Sequence, residues 1–194
     1  MLQQEVEIPR GTKACITALQ TEITERMRAI LISWLVEVHV KFNLLPETLY
    51  ITKELIDRFS ELRKISRAEY QLVGVSAMLI ACKYEEIYVP EVQKFVDITD
   101  KSYTRDQIID KEHEMLKVLE FTITFPTSYR FIERFAEIAS CDGETTRFAQ
   151  YLAELALIDV KMNQWAPSRI AAAAVYLAKK VFKREYPWSQ LMTE

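Results

Sequence analysis

Apolar residues recur every three or four positions along most of this chain, and strand-like alternation is scarce. The periodic runs predict helices at about residues 24–42, 46–61, 66–83, 90–98 and 104–119, then at about 128–140, 144–159 and 167–181. The punctuation agrees with this reading. Ser66-Arg67-Ala68-Glu69 and Thr104-Arg105-Asp106-Gln107 have the form of capping boxes that open helices. Pro46, Pro90 and Pro167 sit where first-turn prolines belong, and Gly143 falls in a polar break. Only short β-branched patches such as Phe121 to Phe125 look extended, so the fold class is all-α.

The helical pattern repeats. Leu72–Lys83 shifted by 97 residues lies on Arg169–Lys180, with Val73 on Ile170, Gly74 on Ala171, Ala77 on Ala174, Ile80 on Leu177 and Lys83 on Lys180. Both copies are rich in small residues and apolar on most sides, as suits a central helix that its neighbours approach closely. Two related bundles joined near Thr122–Pro126 are expected: an N-terminal segment 1–23, a first bundle 24–125 and a second bundle 126–194.

Composition narrows the function. Twenty-five basic against 28 acidic residues leave a net charge of −3, without the basic surplus of a general nucleic-acid binder. Only three glycines occur, Gly11, Gly74 and Gly143, too far apart for a phosphate-cradling loop. The three cysteines (Cys15, Cys82, Cys141) and two histidines (His39, His113) form no CxxC or HExxH, a scattering that suits reduced thiols in an intracellular protein. The longest run free of Asp, Glu, Lys and Arg is the 13 residues from Tyr70 to Cys82, below the ~18 of a membrane-spanning segment.

The first helix carries two apolar faces. At about 100° per residue, Ala29, Ile32, Leu35, Val36 and Val40 form one stripe, and Met27, Ile30, Leu31, Trp34 and Val38 form another. Either both are buried, the second beneath the N-terminal segment or the other bundle, or the second is an exposed groove for a partner. Glu37 at its edge suits a basic residue next to an apolar anchor. Arg28 falls on the core side and needs a carboxylate, for which Asp57 in an otherwise apolar helical run is the natural candidate.

Met27-Arg28-Ala29-Ile30-Leu31 followed by Trp34-Leu35-Val36-Glu37-Val38 resembles the opening helix of a cyclin box. Ile56-Asp57-Arg58-Phe59, Gln71-Leu72-Val73-Gly74, Lys83-Tyr84-Glu85-Glu86-Ile87-Tyr88 and Glu112-His113 follow in the order and spacing of that family. The resemblance continues through Tyr151–Leu155 and Pro167–Ala173, and Lys41-Phe42 with Glu47-Thr48-Leu49-Tyr50 gives it the flavour of mitotic B-type cyclins.

The resemblance implies tandem five-helix cyclin folds and a regulatory subunit, itself no enzyme, that activates a cyclin-dependent protein kinase at G2/M in nucleus and cytoplasm. No cofactor, metal or membrane is implied. Lys83 and Glu112 match positions that hydrogen-bond the backbone around the kinase's regulatory helix. Ile80, Tyr84, Leu116 and Phe121 match the apolar surface that receives this helix, with Glu85 beside it. From the residues alone, Lys83 and Glu112 read as an intramolecular ion pair or as solvated ends. Met27, Ile30, Leu31, Trp34, Glu37 and Gln71 match a hydrophobic patch that docks Arg-x-Leu motifs of substrates and inhibitors. Ser33 departs from the acidic residue usual there, which weakens the expected preference for basic motif residues. Arg28, Asp57 and Leu72 are assigned structural roles.

Other features read as bland. Glu85-Glu86 suggests solvated loop carboxylates, His113 lacks a second metal ligand, Cys82 reads as a buried thiol, and Lys179-Lys180 with Lys183-Arg184 as a solvated helix end. A rival function is a nucleic-acid-binding transcription factor of the cyclin fold, which needs a local basic face and salt-dependent DNA binding. The only Arg-x-x-Leu is Arg28–Leu31, inside the first helix, so the family's N-terminal degradation region is expected to be missing. The chain ends about 13 residues after the third helix of the second bundle, leaving no room for the family's last two helices. Uncovered apolar surface with lowered solubility or stability is the expectation.

Overall fold

A computed structural model describes residues 19–183, in two compact units that divide between Thr124 and Phe125. Gly11, Cys15, Arg184 and most of the N-terminal segment lie outside the described residues. The first unit contains α1 (Glu25–Phe42), α2 (Pro46–Leu62), α3 (Tyr70–Glu85), α4 (Val92–Ile98) and α5 (Arg105–Val118). The second contains α6 (Ser128–Ile138), α7 (Gly143–Ile158) and α8 (Pro167–Val181). Among the described residues there is no β-strand.

The helix ends follow from local chemistry. The Thr24 and Thr104 hydroxyls accept from the backbone N–H groups of Met27 and Gln107, and the Asp142 carboxylate accepts from that of Thr145. Asn43 closes α1 in the left-handed conformation at φ 52°, a position that asparagine tolerates well. Gln20, missed in the sequence, is buried: its amide nitrogen donates to the carbonyls of Ser60 and Arg63 at 2.6 Å, and its oxygen accepts from the Ile65 N–H at 3.0 Å. One side chain ahead of α1 thus closes the end of α2.

Four local expectations are corrected. The Ser66–Glu69 box forms, but it opens a 3-10 turn over Arg67–Glu69 and α3 begins only at Tyr70. Pro90 lies before α4, whose N-cap is Glu91. Gly143 is no break, since Asp142 caps a helix that starts at the glycine. Phe121–Phe125 pairs with no strand; Glu120 and Phe121 adopt a left-handed turn at φ 51° and 55° because α5 ends there, and irregular chain follows.

In the first unit α3 is the central helix, packed against α1, α2 and α5, and every residue from Leu72 to Cys82 is buried. Gly74 is what allows α1 to approach. A Cβ there would lie 2.9 Å from Leu31 Cδ1 and 3.3 Å from Leu31 Cγ. In the second unit α8 packs on α6 and α7, with Ala171, Ala174, Val175 and Ala178 inward. Lys179 is not a solvated helix end: it is buried, and its ammonium donates to the Ala139 carbonyl that terminates α6. The repeat partners differ in burial at several places, among them Ile80, 2% exposed, against Leu177, 47% exposed. Leu177 lines an apolar groove of about 490 Å³ with Leu152, Leu155, Trp165, Ile170 and Ala173.

Candidate functional site

The last turn of α3 and the middle of α5 meet through one ion pair. Lys83 Nζ donates to both Glu112 oxygens, at 2.7 and 2.8 Å. The Lys83 side chain is 48% exposed and that of Glu112 only 6%, so a nearly buried carboxylate orients a cation at the surface. Tyr84, half-exposed, shares a 2.6 Å hydrogen bond between its hydroxyl and Thr124 Oγ1. Phe121 projects from the left-handed turn after α5, 66% exposed. Leu116 and Glu85 are half-buried. Ile80 lies beneath this surface, at 2% exposure. A charged pair thus adjoins exposed Tyr84, with exposed Phe121 just past the end of the helix that carries Glu112.

Residues of the α3–α4 loop are exposed too; Ile87 and Tyr88 stand in the Lys83–Tyr88 motif, which assigns them no role of their own. Ile87 is 86% exposed and Tyr88 90%, with Val89 also exposed. The signal available for them was an apolar run lying between two helices with no helical period of its own. Glu86 is not a solvated loop carboxylate. It is half-buried, and its Oε1 accepts from the Leu45 N–H at 2.7 Å and from the Thr48 hydroxyl at 2.6 Å.

On α1 the two-face reading is corrected. Arg28, Leu31, Ile32, Leu35 and Val38 are buried, so the core stripe runs between the two expected ones. Val40, expected in the core, is 70% exposed; at about 100° per residue it falls well outside that stripe. Leu31 and Val38 belong to the interior, Leu31 because it fills the space that Gly74 leaves. What remains outward is narrower: Ile30 and Glu37 exposed, Met27 and Trp34 half-buried, and Gln71 half-buried on α3.

Arg28 and Asp57 are brought together inside the first unit, with Nε–Oδ1 at 2.6 Å and Nη2–Oδ2 at 2.7 Å. Lys53, one turn before Asp57, adds a third member at 3.0 Å from Oδ2. Burial alone would push the Asp57 carboxyl up, but Lys53 and Arg28 override it and hold the group well below the carboxylate range. Leu72, on α3, is buried. Burial pushes the Cys82 thiol up to about 12, which leaves it unreactive at neutral pH. Among the described residues no group of three or more His, Cys, Asp or Glu side chains is placed to hold a metal ion, and no helix is long and apolar enough to cross a membrane.

Known proteins are similar to this chain in sequence and in fold. Residues 1–124 match the family model for the cyclin N-terminal domain, and residues 126–194 that for the cyclin C-terminal domain. The chain is 49% identical over 191 residues to cyclin-B1-4 of Arabidopsis thaliana, covering 96% of this chain and 49% of that protein. It is 47% identical over 168 residues to the G2/mitotic-specific cyclin-B2 of Oryzias latipes, covering 87% of this chain and 43% of that one. It therefore spans about half, or less, of the length of these relatives. In fold it is similar to a viral cyclin from herpesvirus saimiri, with a TM-score of 0.83 at 19% identity over 95% of this chain and 83% of the other. A chain of the yeast RNA Pol II CTD kinase CTDK-1 complex gives a TM-score of 0.74 at 13% identity, over 97% and 64%.

Proposed function

The chain belongs to the cyclin family, and from that premise we propose that it is the regulatory subunit of a cyclin-dependent protein kinase. In this reading it activates the kinase at G2/M, in nucleus and cytoplasm, contributes no catalytic atom, and docks substrates or inhibitors that carry Arg-x-Leu motifs. Its high identity to proteins named mitotic cyclins supports the reading, as does a fold shared with a chain of a kinase complex.

The single observation that carries it is the Lys83–Glu112 pair, next to exposed Tyr84 and on the helix that leads to exposed Phe121. An ammonium has three donor hydrogens, and two oxygens of Glu112 engage it from below. Its exposed side retains capacity for a backbone carbonyl of a partner, while the rings bury an apolar helix face next to it. A kinase needs its β3 lysine paired with the glutamate of its regulatory helix before phosphoryl transfer proceeds. A rigid surface that binds the inward position of that helix better than the outward one shifts the population by the difference in affinity. The outward face of α1, with Ile30, Met27, Trp34 and Glu37, suits a short motif that pairs a basic residue with an apolar anchor.

The test is phosphorylation of a peptide by a purified mitotic cyclin-dependent kinase, with the native chain and with Lys83→Ala/Glu112→Ala. Activation by the native chain and its loss in the folded variant are expected. A well-folded native chain that neither binds nor activates several such kinases overturns the reading.

A further inference from the structure

The connection between α2 and α3 carries a charge pattern that the proposed function leaves unused. Arg63 and Lys64 stand three and two residues before Ser66, and among the described residues no other serine or threonine has basic residues at both places. Protein kinases choose substrates by such patterns, since cations ahead of the hydroxyl can meet carboxylates in a peptide groove. The local structure suits an acceptor. Arg63 at φ −135°, ψ 135° and Ser66 at φ −76°, ψ 155° both have extended backbone, between the end of α2 and the 3-10 turn at Arg67–Glu69. Gln20 fixes the segment in that form through the Arg63 carbonyl and the Ile65 N–H, so a partner meets it already ordered. Arg63 and Lys64 are exposed and Ser66 is half-buried. Arg63 pairs with Glu114 at 3.1 Å, but with side chains 55% and 33% exposed such a pair is weak and yields readily.

The hydroxyl also heads a chain of charges. Ser66 Oγ donates to Glu69 Oε2 at 2.7 Å, and the other Glu69 oxygen lies 3.4 Å from Lys111 Nζ on α5. Lys111 reaches Glu114 as well, at 2.6 Å, and its side chain is only 12% exposed. One carboxylate therefore separates the Ser66 hydroxyl from a largely enclosed cation.

We propose that Ser66 is a phosphorylation site for a basophilic serine/threonine kinase, and that Lys111 holds the phosphate once it is there. A nucleoside triphosphate supplies the group. The bond from Ser66 Oγ to the γ-phosphorus forms, the bond from that phosphorus to the β,γ-bridging oxygen breaks, the diphosphate leaves, and the hydroxyl proton passes to the kinase's catalytic carboxylate. The product carries a charge of about −1.5 to −2 at pH 7. Like charge drives the Glu69 carboxylate away, and the phosphate takes its place between Oγ and Lys111. A hydrogen bond within one turn is thereby exchanged for a charge-assisted one between the start of α3 and α5. The inference does not depend on the function proposed above, in which this chain is a kinase's partner and not its substrate.

The experiment treats the full 194-residue chain with ATP, magnesium and the purified catalytic subunit of cyclic-AMP-dependent protein kinase, a basophilic enzyme, and maps the modified residue by mass spectrometry. Phosphate on Ser66 is expected. It is expected to be lost in Ser66→Ala and to form about tenfold more slowly or worse in Arg63→Ala/Lys64→Ala, each variant checked for unchanged helix content. A native chain left unmodified at Ser66, while a synthetic peptide of residues 60–69 is modified, shows that the fold withholds the hydroxyl and overturns the site. Failure of both chain and peptide overturns it too. An unchanged rate in Arg63→Ala/Lys64→Ala overturns the recognition by charge. The role of Lys111 has its own readout, because Lys111→Ala is expected to lower the unfolding temperature of the phosphorylated chain more than that of the unmodified chain. An equal or smaller drop removes Lys111 as the holder of the phosphate. No arm uses a cyclin-dependent kinase, so failure here leaves the proposed function standing.

Discussion

Arg28 and Asp57, 29 residues apart in sequence, meet in a two-point salt bridge with side chains 0% and 1% exposed. Such a pair is held by geometry more than by net energy, because both charges lose their water. Removing one partner is the costly event. Asp57→Asn removes the buried carboxylate charge that Arg28 and Lys53 both face, and we expect it to cost about 3–5 kcal/mol at neutral pH. The folded carboxyl titrates below its ordinary value near 4. Its contribution is therefore fully present above about pH 4 and lost as pH falls toward the folded value. Urea unfolding from pH 7 down to pH 3 checks this. The gap between native and variant is expected to narrow only below about pH 4.

Gly74 and Leu31 make a second coupled pair. Alanine at a helical glycine gains about 1 kcal/mol of helix propensity. Here the added methyl meets Leu31 Cδ1 at 2.9 Å in a packed core, and overpacking costs about 1–3 kcal/mol. Gly74→Ala is expected to be neutral or destabilising by up to about 2 kcal/mol. In a Leu31→Ala background the space is free, and the same substitution is expected to stabilise. A double-mutant cycle by denaturant unfolding reads the change of sign directly.

Such pairs show what the sequence displays and what it hides. A charge on the apolar side of a helix demands a partner, so Arg28 points to a carboxylate, and Asp57 stands out in its apolar run. Lys53 is less visible, because a lysine four residues before an aspartate looks like a surface pair until the first carboxylate proves buried. The α1 stripes were misplaced because Leu31, Ile32, Leu35 and Val38 are all apolar, and only the neighbour at Gly74 decides which face turns inward. Gln20 and Glu86 were hidden for one reason: each closes a helix end from another segment, 38 or more residues away, and no local pattern records such a cap. The helix spans were readable within a few residues since period and capping are local.

The Lys83–Glu112 pair is asymmetric, and its two halves are expected to fail differently. Lys83→Ala strips the ammonium from a carboxylate whose side chain is 6% exposed, which costs about 1–3 kcal/mol. Glu112→Ala frees a lysine that is 48% exposed and that water can solvate, so a loss below about 1 kcal/mol is expected. Adding Glu112→Ala to Lys83→Ala is expected to recover stability. Thermal unfolding of the three variants checks this. It also shows which of them are folded enough to interpret in the kinase assay.

The internal repeat offers a matched experiment in the second unit. Ile80 and Leu177 occupy equivalent positions of α3 and α8, yet one is 2% exposed and the other 47%. Serine at position 80 opens a cavity beneath the α3–α5 junction and buries a hydroxyl, so Ile80→Ser is expected to destabilise by about 2–5 kcal/mol. Serine at Leu177 faces the groove that also exposes Leu155 and Trp165, where little packing is lost. Leu177→Ser is expected to change stability by no more than about 0.5–1 kcal/mol. The groove variant should still leave a mark. Leu155→Ser/Leu177→Ser removes two of its exposed apolar side chains, so lower binding of an apolar fluorescent dye and a higher solubility limit are expected at unchanged helix content. Equal dye binding by the native chain and this variant would mean that the groove is covered in solution.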